Sequence, residues 1–205
     1  MPDLEPLVSI TGTATPLPLD SVDTDVITPM HRIMDGTIVE HAFEVLRVDA
    51  DGNPRPNPFD DAEHAEDTIL VAGSNFGCGS SRETAVWAVR GLGYRVVVAE
   101  SFGDIFHANC FKNAVLPITL PADDVQAVMD AAQGRQQITV DVPSATISIG
   151  HRTIPFDLPD LRRTALVEGL DDLAVALQLD ERIAAFERSD RARRPWVHDP
   201  PGFGP

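Results

Sequence analysis

Residues 68–92 read TILVAGSNFGCGSSRETAVWAVRGL, and the rest of the chain is organised around them. The run 68–72 is aliphatic, short and bounded by Gly73, the pattern of a buried strand. Gly73, Gly77 and Gly79 then punctuate a segment that also holds Ser74, Asn75 and Cys78. That composition suits positive φ angles and close approach of a ligand to the backbone. Ser80 and Glu83 have the spacing of a capping box, and Ala85, Ala88, Val89 and Leu92 fall on one helical face, so a helix is predicted to start at Ser80. Gly91 and Gly93 stop it. Strand, glycine loop and helix start in this order bring backbone N–H groups and a positive dipole end together, which suits an anion.

Ser80, Ser81 and Arg82 stand at that start. An arginine can take a carboxylate in bidentate fashion, and a serine hydroxyl in a positive field lies closer to its alkoxide than in water. Two readings of Ser80 stay open from spacing alone: a helix cap closed by Glu83, or a base that removes a proton from carbon.

With 205 residues the chain is long enough to form one domain that buries about 70% of its unfolded surface. The expected organisation is a domain over residues 1–190 and a flexible tail over 191–205, where the chain turns basic and then rich in Pro and Gly. The formal net charge of −16 argues against nucleic acid and anionic membrane as partners. Lys112 is the only lysine among 16 basic residues, so arginines must oppose that field locally. Cys78 and Cys110 are too few for a disulfide framework and have no Cys-x-x-Cys spacing, which indicates a reducing, cytoplasmic setting. The six histidines are scattered, and no metal site is predicted; His198 stands alone in the tail. No leader is apparent, and no run approaches the ~18 apolar residues of a membrane span.

Val8, Ile10 and Gly12 alternate with polar residues as in a strand, which Pro16 and Pro18 are expected to end. Residues 20–25 form an acidic turn, and Pro29 starts a short helix carrying Met30, His31, Arg32 and Ile33. Asp23 and Asp25 are accounted for by turn chemistry alone. Residues 37–46 have a helical pattern. Residues 49–67, rich in Pro, Asn, Asp and Gly, form a long excursion that is either a lid or a docking surface, or else locally disordered. Further strands are expected at 96–99 and 115–120, with a short helix between them within 100–109, which implies β-α-β units and a mostly parallel sheet. Asp123 or Asp124 is expected to cap a helix that ends at Gly134, and an antiparallel hairpin follows through Ile138, Val140, Val142, Ile147 and Ile149. Residues 161–185 are helical by pattern with a break at Gly169, and Leu166, Leu170, Leu173, Ala174 and Leu177 are available for packing. Two kinds of sheet are therefore required.

The stretch GSNFGCGSSRETA, followed by residues 100–120, resembles the last domain of the aconitase family, most closely the small-subunit family of the bacterial 3-isopropylmalate dehydratases. DSVDTDVITP at 20–29 and residues 161–187 carry the same resemblance in the same order. It implies a three-layer swivelling β/β/α domain with a mostly parallel central sheet and a smaller antiparallel one. The implied activity is that of a hydro-lyase interconverting 2- and 3-isopropylmalate through 2-isopropylmaleate in leucine biosynthesis. Position by position, Ser80 matches the family's proton-abstracting serine, Ser81 and Arg82 match residues that hold a substrate carboxylate, and Thr24 and Asp25 match active-site positions. The segment after them, Met30 to Ile33, matches the part that shapes the pocket for the variable group. In the family a 4Fe-4S cluster acts on the leaving hydroxyl and belongs to the large subunit, so this chain is expected to carry no cofactor and to work only with that partner. Thr84 stands where the family usually has histidine, and Met30-His31-Arg32 is not its commonest sequence. Both departures bear on the substrate and leave open a related hydratase subunit acting on citraconate, methylmalate or homoaconitate.

Overall fold

Residues 4–198 are described in a computed structural model of the chain. The first segment is two strands, β1 (Ser9–Gly12) and β2 (Ala14–Leu17), split at Thr13 and sent to different sheets. β2 runs parallel to β3 (Ile69–Ala72), β3 to β4 (Val96–Ala99) and β4 to β5 (Leu116–Thr119). Pro16 lies inside β2 instead of ending a strand, and Pro117 lies inside β5. Both strands are sheet edges, where the outward side of the backbone has no ladder bond to lose.

Side chains alternate across the central strands. Ile69, Val71, Val96, Val98, Leu116 and Ile118 enter one core, while Leu70, Ala72, Val97 and Ala99 enter the other. Burial on both faces explains why β3 and β4 read as unbroken aliphatic runs, each such residue contributing about 1.5–3 kcal/mol. The second core is covered by α1 (Thr24–Ile27), α3 (Glu44–Arg47), α4 (Thr84–Gly91) and α5 (Asp104–Lys112), with α2 (Met30–Met34) beside them. The first core is shared with α6 (Ala122–Gln133) and with the antiparallel sheet of β1, β6 (Ile138–Asp141), β7 (Thr146–Ile149) and β8 (Arg152–Pro155). The layered architecture with two kinds of sheet is the expected one. The antiparallel sheet is not smaller, since each sheet has four strands and β8 adds to the predicted hairpin.

Several local expectations are corrected. Residues 37–46 are turns up to α3, because Phe43 adopts φ 57° and so breaks the helical pattern. Its fully buried ring stacks on Phe59 at 4.1 Å, and that packing outweighs helix propensity. The N-cap of α6 is Pro121, with Asp123 and Asp124 in the first turn. The C-terminal helices are α7 (Asp160–Glu168), α8 (Asp172–Gln178), α9 (Asp180–Arg193) and α10 (Pro195–His198), and Gly169 ends α7 at φ 69° as its position predicts. Leu166 is buried, but Leu173 and Leu177 are 67% and 65% exposed. Of the segment expected as a tail, the part up to His198 is mostly helical, and residues 199–205 lie outside the described residues. His198 is not alone, since its Nε2 lies 3.1 Å from the buried Asp190, which also accepts from Arg194 Nε at 2.6 Å.

The excursion 49–67 is ordered around turns and a 3-10 helix, Ala62–His64. Its end is pinned by Asp67, whose enclosed carboxylate accepts from Thr13, from Thr15 at 3.0 Å and from Arg135 at 2.6 Å, with His64 Nδ1 at 2.7 Å.

Candidate active site

The loops leaving β2, β3 and β4 at their carboxyl ends are laced together, at the place where parallel sheets offer a ligand crevice. Ser21 N–H donates to Ser74 O at 2.8 Å, Gly77 N–H to Val22 O at 2.7 Å and Thr24 N–H to Cys78 O at 2.9 Å. On the other side, Phe76 N–H donates to Ser101 O at 3.0 Å and Gly103 N–H to Phe76 O at 2.9 Å. Two glycines make this possible. Gly77 sits at φ 72° with Phe106 Cγ only 2.2 Å from where a Cβ would be, and a Cβ on Gly103 would meet Gly77 O at 2.6 Å.

The lacing brings the predicted residues together. Ser80 Oγ lies 2.6 Å from Thr24 Oγ1, and the Arg82 amide N–H points to the same Ser80 oxygen at 3.4 Å. Thr24 is buried on α1, whose N-cap is Asp23, accepting from Val26 N–H at 2.8 Å. Arg82 grips Asp25 through Nη1 at 2.6 Å and Nη2 at 2.9 Å, and Nη1 also reaches Thr28 O at 3.3 Å. Hydrogen bonding to this guanidinium holds the Asp25 carboxyl below the usual carboxylate range and raises Arg82. Ser81 is exposed and lines an open cleft of about 490 Å³ with Cys78, Ser80, Gly103, Asp104 and Ile105.

The capping-box reading is overturned. α4 starts at Thr84, its N-cap position is Glu83, and no side chain caps it. Glu83 instead accepts from Asn113 Nδ2 at 2.9 Å, and Ser80 faces Thr24. The helix end that lines the cleft is that of α5, through Gly103, Asp104 and Ile105. Sequence reasoning did not place these three in the site, although Phe76, Phe102 and Phe106, which pack ring on ring beneath the loops, were a signal that the two segments meet. An oxygen faced by a hydroxyl and an amide N–H is prepared to carry negative charge, and a guanidinium beside it can hold a carboxylate.

Met30, His31, Arg32 and Ile33 lie on α2, which begins two residues after Thr28. Met30 is exposed, whereas Arg32 is turned onto Glu44, with His31 Nε2 3.4 Å from the same carboxylate. The excursion 49–67 contributes no residue to the cleft lining. A larger cavity of about 750 Å³, lined by Leu4, Glu83, Trp87, Arg90, Lys112 and Leu173 among others, holds none of Thr24, Asp25, Ser80 and Arg82.

Among the described residues no group of three or more His, Cys, Asp or Glu could hold a metal ion. Cys78 is half-buried in the glycine loop, and Cys110 is enclosed in the core, where burial pushes its thiol well up. This donor set does not fit an iron-sulfur cluster, which takes cysteine thiolates. No helix among these residues is long and apolar enough to cross a membrane.

A sequence profile of the aconitase C-terminal domain matches residues 4–123. The 3-isopropylmalate dehydratase small subunit of Roseobacter denitrificans is 41% identical over 201 residues, covering 95% of this chain and 100% of the relative. That of Cupriavidus necator is 42% identical over 205 residues, covering 95% and 99%. A crystal structure of 3-isopropylmalate dehydratase (leuD) from Methanocaldococcus jannaschii superposes with a TM-score of 0.62 at 28% identity, covering 87% of this chain and 99% of that one.

Proposed function

Since the chain belongs to the aconitase C-terminal domain family, among the small subunits of 3-isopropylmalate dehydratases, we infer that it supplies the proton-transfer half of a hydro-lyase active site. The reaction interconverts 2- and 3-isopropylmalate through 2-isopropylmaleate, a step of leucine biosynthesis. A larger subunit supplies the other half, and a 4Fe-4S cluster held there would act as the Lewis acid that takes up the leaving hydroxyl. The protein works in the cytoplasm.

The observation that carries this reading is the Ser80 oxygen held between the Thr24 hydroxyl and the Arg82 amide. Ser80 Oγ takes the carbon-bound proton, and the electron pair of that C–H bond becomes the second bond of the alkene as the hydroxyl departs from the neighbouring carbon. On rehydration Ser80 returns the proton to the other carbon. Serine is a weak base unless its alkoxide is stabilised beforehand, which is the task of the two donors and of Arg82. Arg82 and Ser81 bind a substrate carboxylate. Asp25, already paired with Arg82, orients the guanidinium and occupies its bidentate face until substrate arrives.

The test is co-purification with the larger subunit under exclusion of oxygen, followed by assay of 3-isopropylmalate, 2-isopropylmaleate, citraconate, 2-methylmalate and homoaconitate. Preferred turnover of the isopropyl compounds is expected, and preference for another diacid would reassign the substrate. Iron analysis of the separate chains is expected to place the cluster on the larger one; a stoichiometric cluster on this chain would overturn that division.

A further inference from the structure

α2 has little of its own to hold it in place. It spans five residues, has no side-chain N-cap and buries none of its residues. So short a helix is not stable by itself, and its direction must be set by what its side chains grasp. What they grasp is Glu44. Arg32 donates to Glu44 Oε2 through Nε at 2.9 Å and to Oε1 through Nη2, forming a paired contact. His31 Nε2 lies 3.4 Å from Oε2, and His41 Nδ1 lies 3.4 Å from Oε1. Both ends of the Arg32–Glu44 pair are largely enclosed, at 22% and 19% exposure. Glu44 itself has a firm base, since it follows Phe43, whose ring is buried and stacked on Phe59.

Met30 and Met34 are four residues apart, on one face of α2, and are 52% and 83% exposed. Pulling Arg32 onto Glu44 turns that methionine face outward, just past Thr28, whose carbonyl accepts from Arg82. Methionine is a pliable apolar surface suited to a branched aliphatic group. We propose that Glu44 is a positioning residue for substrate selection: by gripping Arg32 it aims Met30, on α2, at the variable group of a substrate whose carboxylate is held by Arg82. This rests on the hydro-lyase reading above and adds to it a residue that does not touch substrate.

The test uses Glu44→Ala and Glu44→Asp in two measurements. In the reconstituted pair, Glu44→Ala is expected to raise KM for 3-isopropylmalate about tenfold with kcat within about twofold, and to lower the preference for isopropyl over methyl substrates by a similar factor, with Glu44→Asp recovering part of both. In the full chain labelled at methionine methyls, Glu44→Ala is expected to shift the Met30 and Met34 signals and leave that of Met129, which is in the core, unchanged. Unmoved Met30 and Met34 signals in the folded variant would overturn the proposal, as would equal losses on both substrates. If the wild-type pair turns over none of the diacids, the hydro-lyase reading fails, and the grip of Glu44 on α2 stands or falls on the methionine signals alone.

Discussion

The Ser80 hydroxyl lies 2.6 Å from the Thr24 hydroxyl, across 56 residues of sequence. Ser80 makes this contact, accepts from the Arg82 amide and caps no helix. Ser80→Ala is therefore expected to cost about 1–3 kcal/mol, because it leaves the buried Thr24 hydroxyl without its partner, while turnover of the partner-bound enzyme falls about 10²-fold or more. Steady-state kinetics beside a thermal melt check this; near-normal turnover by folded protein would remove Ser80 as the base.

Thr24 is buried, and its side chain meets Ser80 through the hydroxyl. Thr24→Val keeps the shape and removes the hydroxyl, and is expected to lower kcat about tenfold, whereas Thr24→Ser keeps most of it. Equal kcat for Thr24→Val and wild type would show that Thr24 only fills space.

Arg82 meets Asp25 with two parallel N–H groups. Arg82→Lys keeps the charge but loses the planar fork, so KM for the diacid is expected to rise about tenfold. Kinetic constants within twofold of wild type would leave Arg82 as a partner of Asp25 only.

Gly77→Ala combines an unfavourable φ of 72° with a clash against the buried ring of Phe106. The expected cost is about 3–5 kcal/mol, read as a lower urea midpoint. A loss below about 1 kcal/mol would mean that the loop and Phe106 can separate without consequence.

Burial pushes the Asp67 carboxyl up, but hydrogen bonds from Arg135, Thr13, His64 and Thr15 more than offset it, and the folded value lies below the ordinary 3.8. A carboxylate held low when folded adds stability above its unfolded value, and this is lost as pH falls through the folded value. Asp67→Asn is expected to cost about 1–3 kcal/mol at neutral pH, with the difference from wild type shrinking below pH 3.8. Chemical unfolding across that range tests it; a difference independent of pH would point to packing instead of charge.

The parallel sheet was legible because strands buried on both faces must be aliphatic throughout, as at Ile69–Ala72 and Val96–Ala99. The glycine loop, Arg82 and the one-turn acidic segment around Thr24 were legible as well, since each is a local demand of backbone geometry or charge. Helix boundaries failed where a distant partner decided them. Phe43 left the helical region to bury its ring on Phe59, and Ser80 gave up a capping position for Thr24.

By itself, then, the sequence determined the kind of sheet, the position of the loop and the residue types gathered in it. Only the tertiary structure decided that Ser80 faces a hydroxyl from another loop, that Asp25 fills the fork of Arg82, that α5 lines the cleft and that Arg32 turns to Glu44. The physical reason is that local patterns encode burial and backbone conformation. The choice among competing hydrogen-bond partners depends on which loops the sheet brings within about 3 Å of each other.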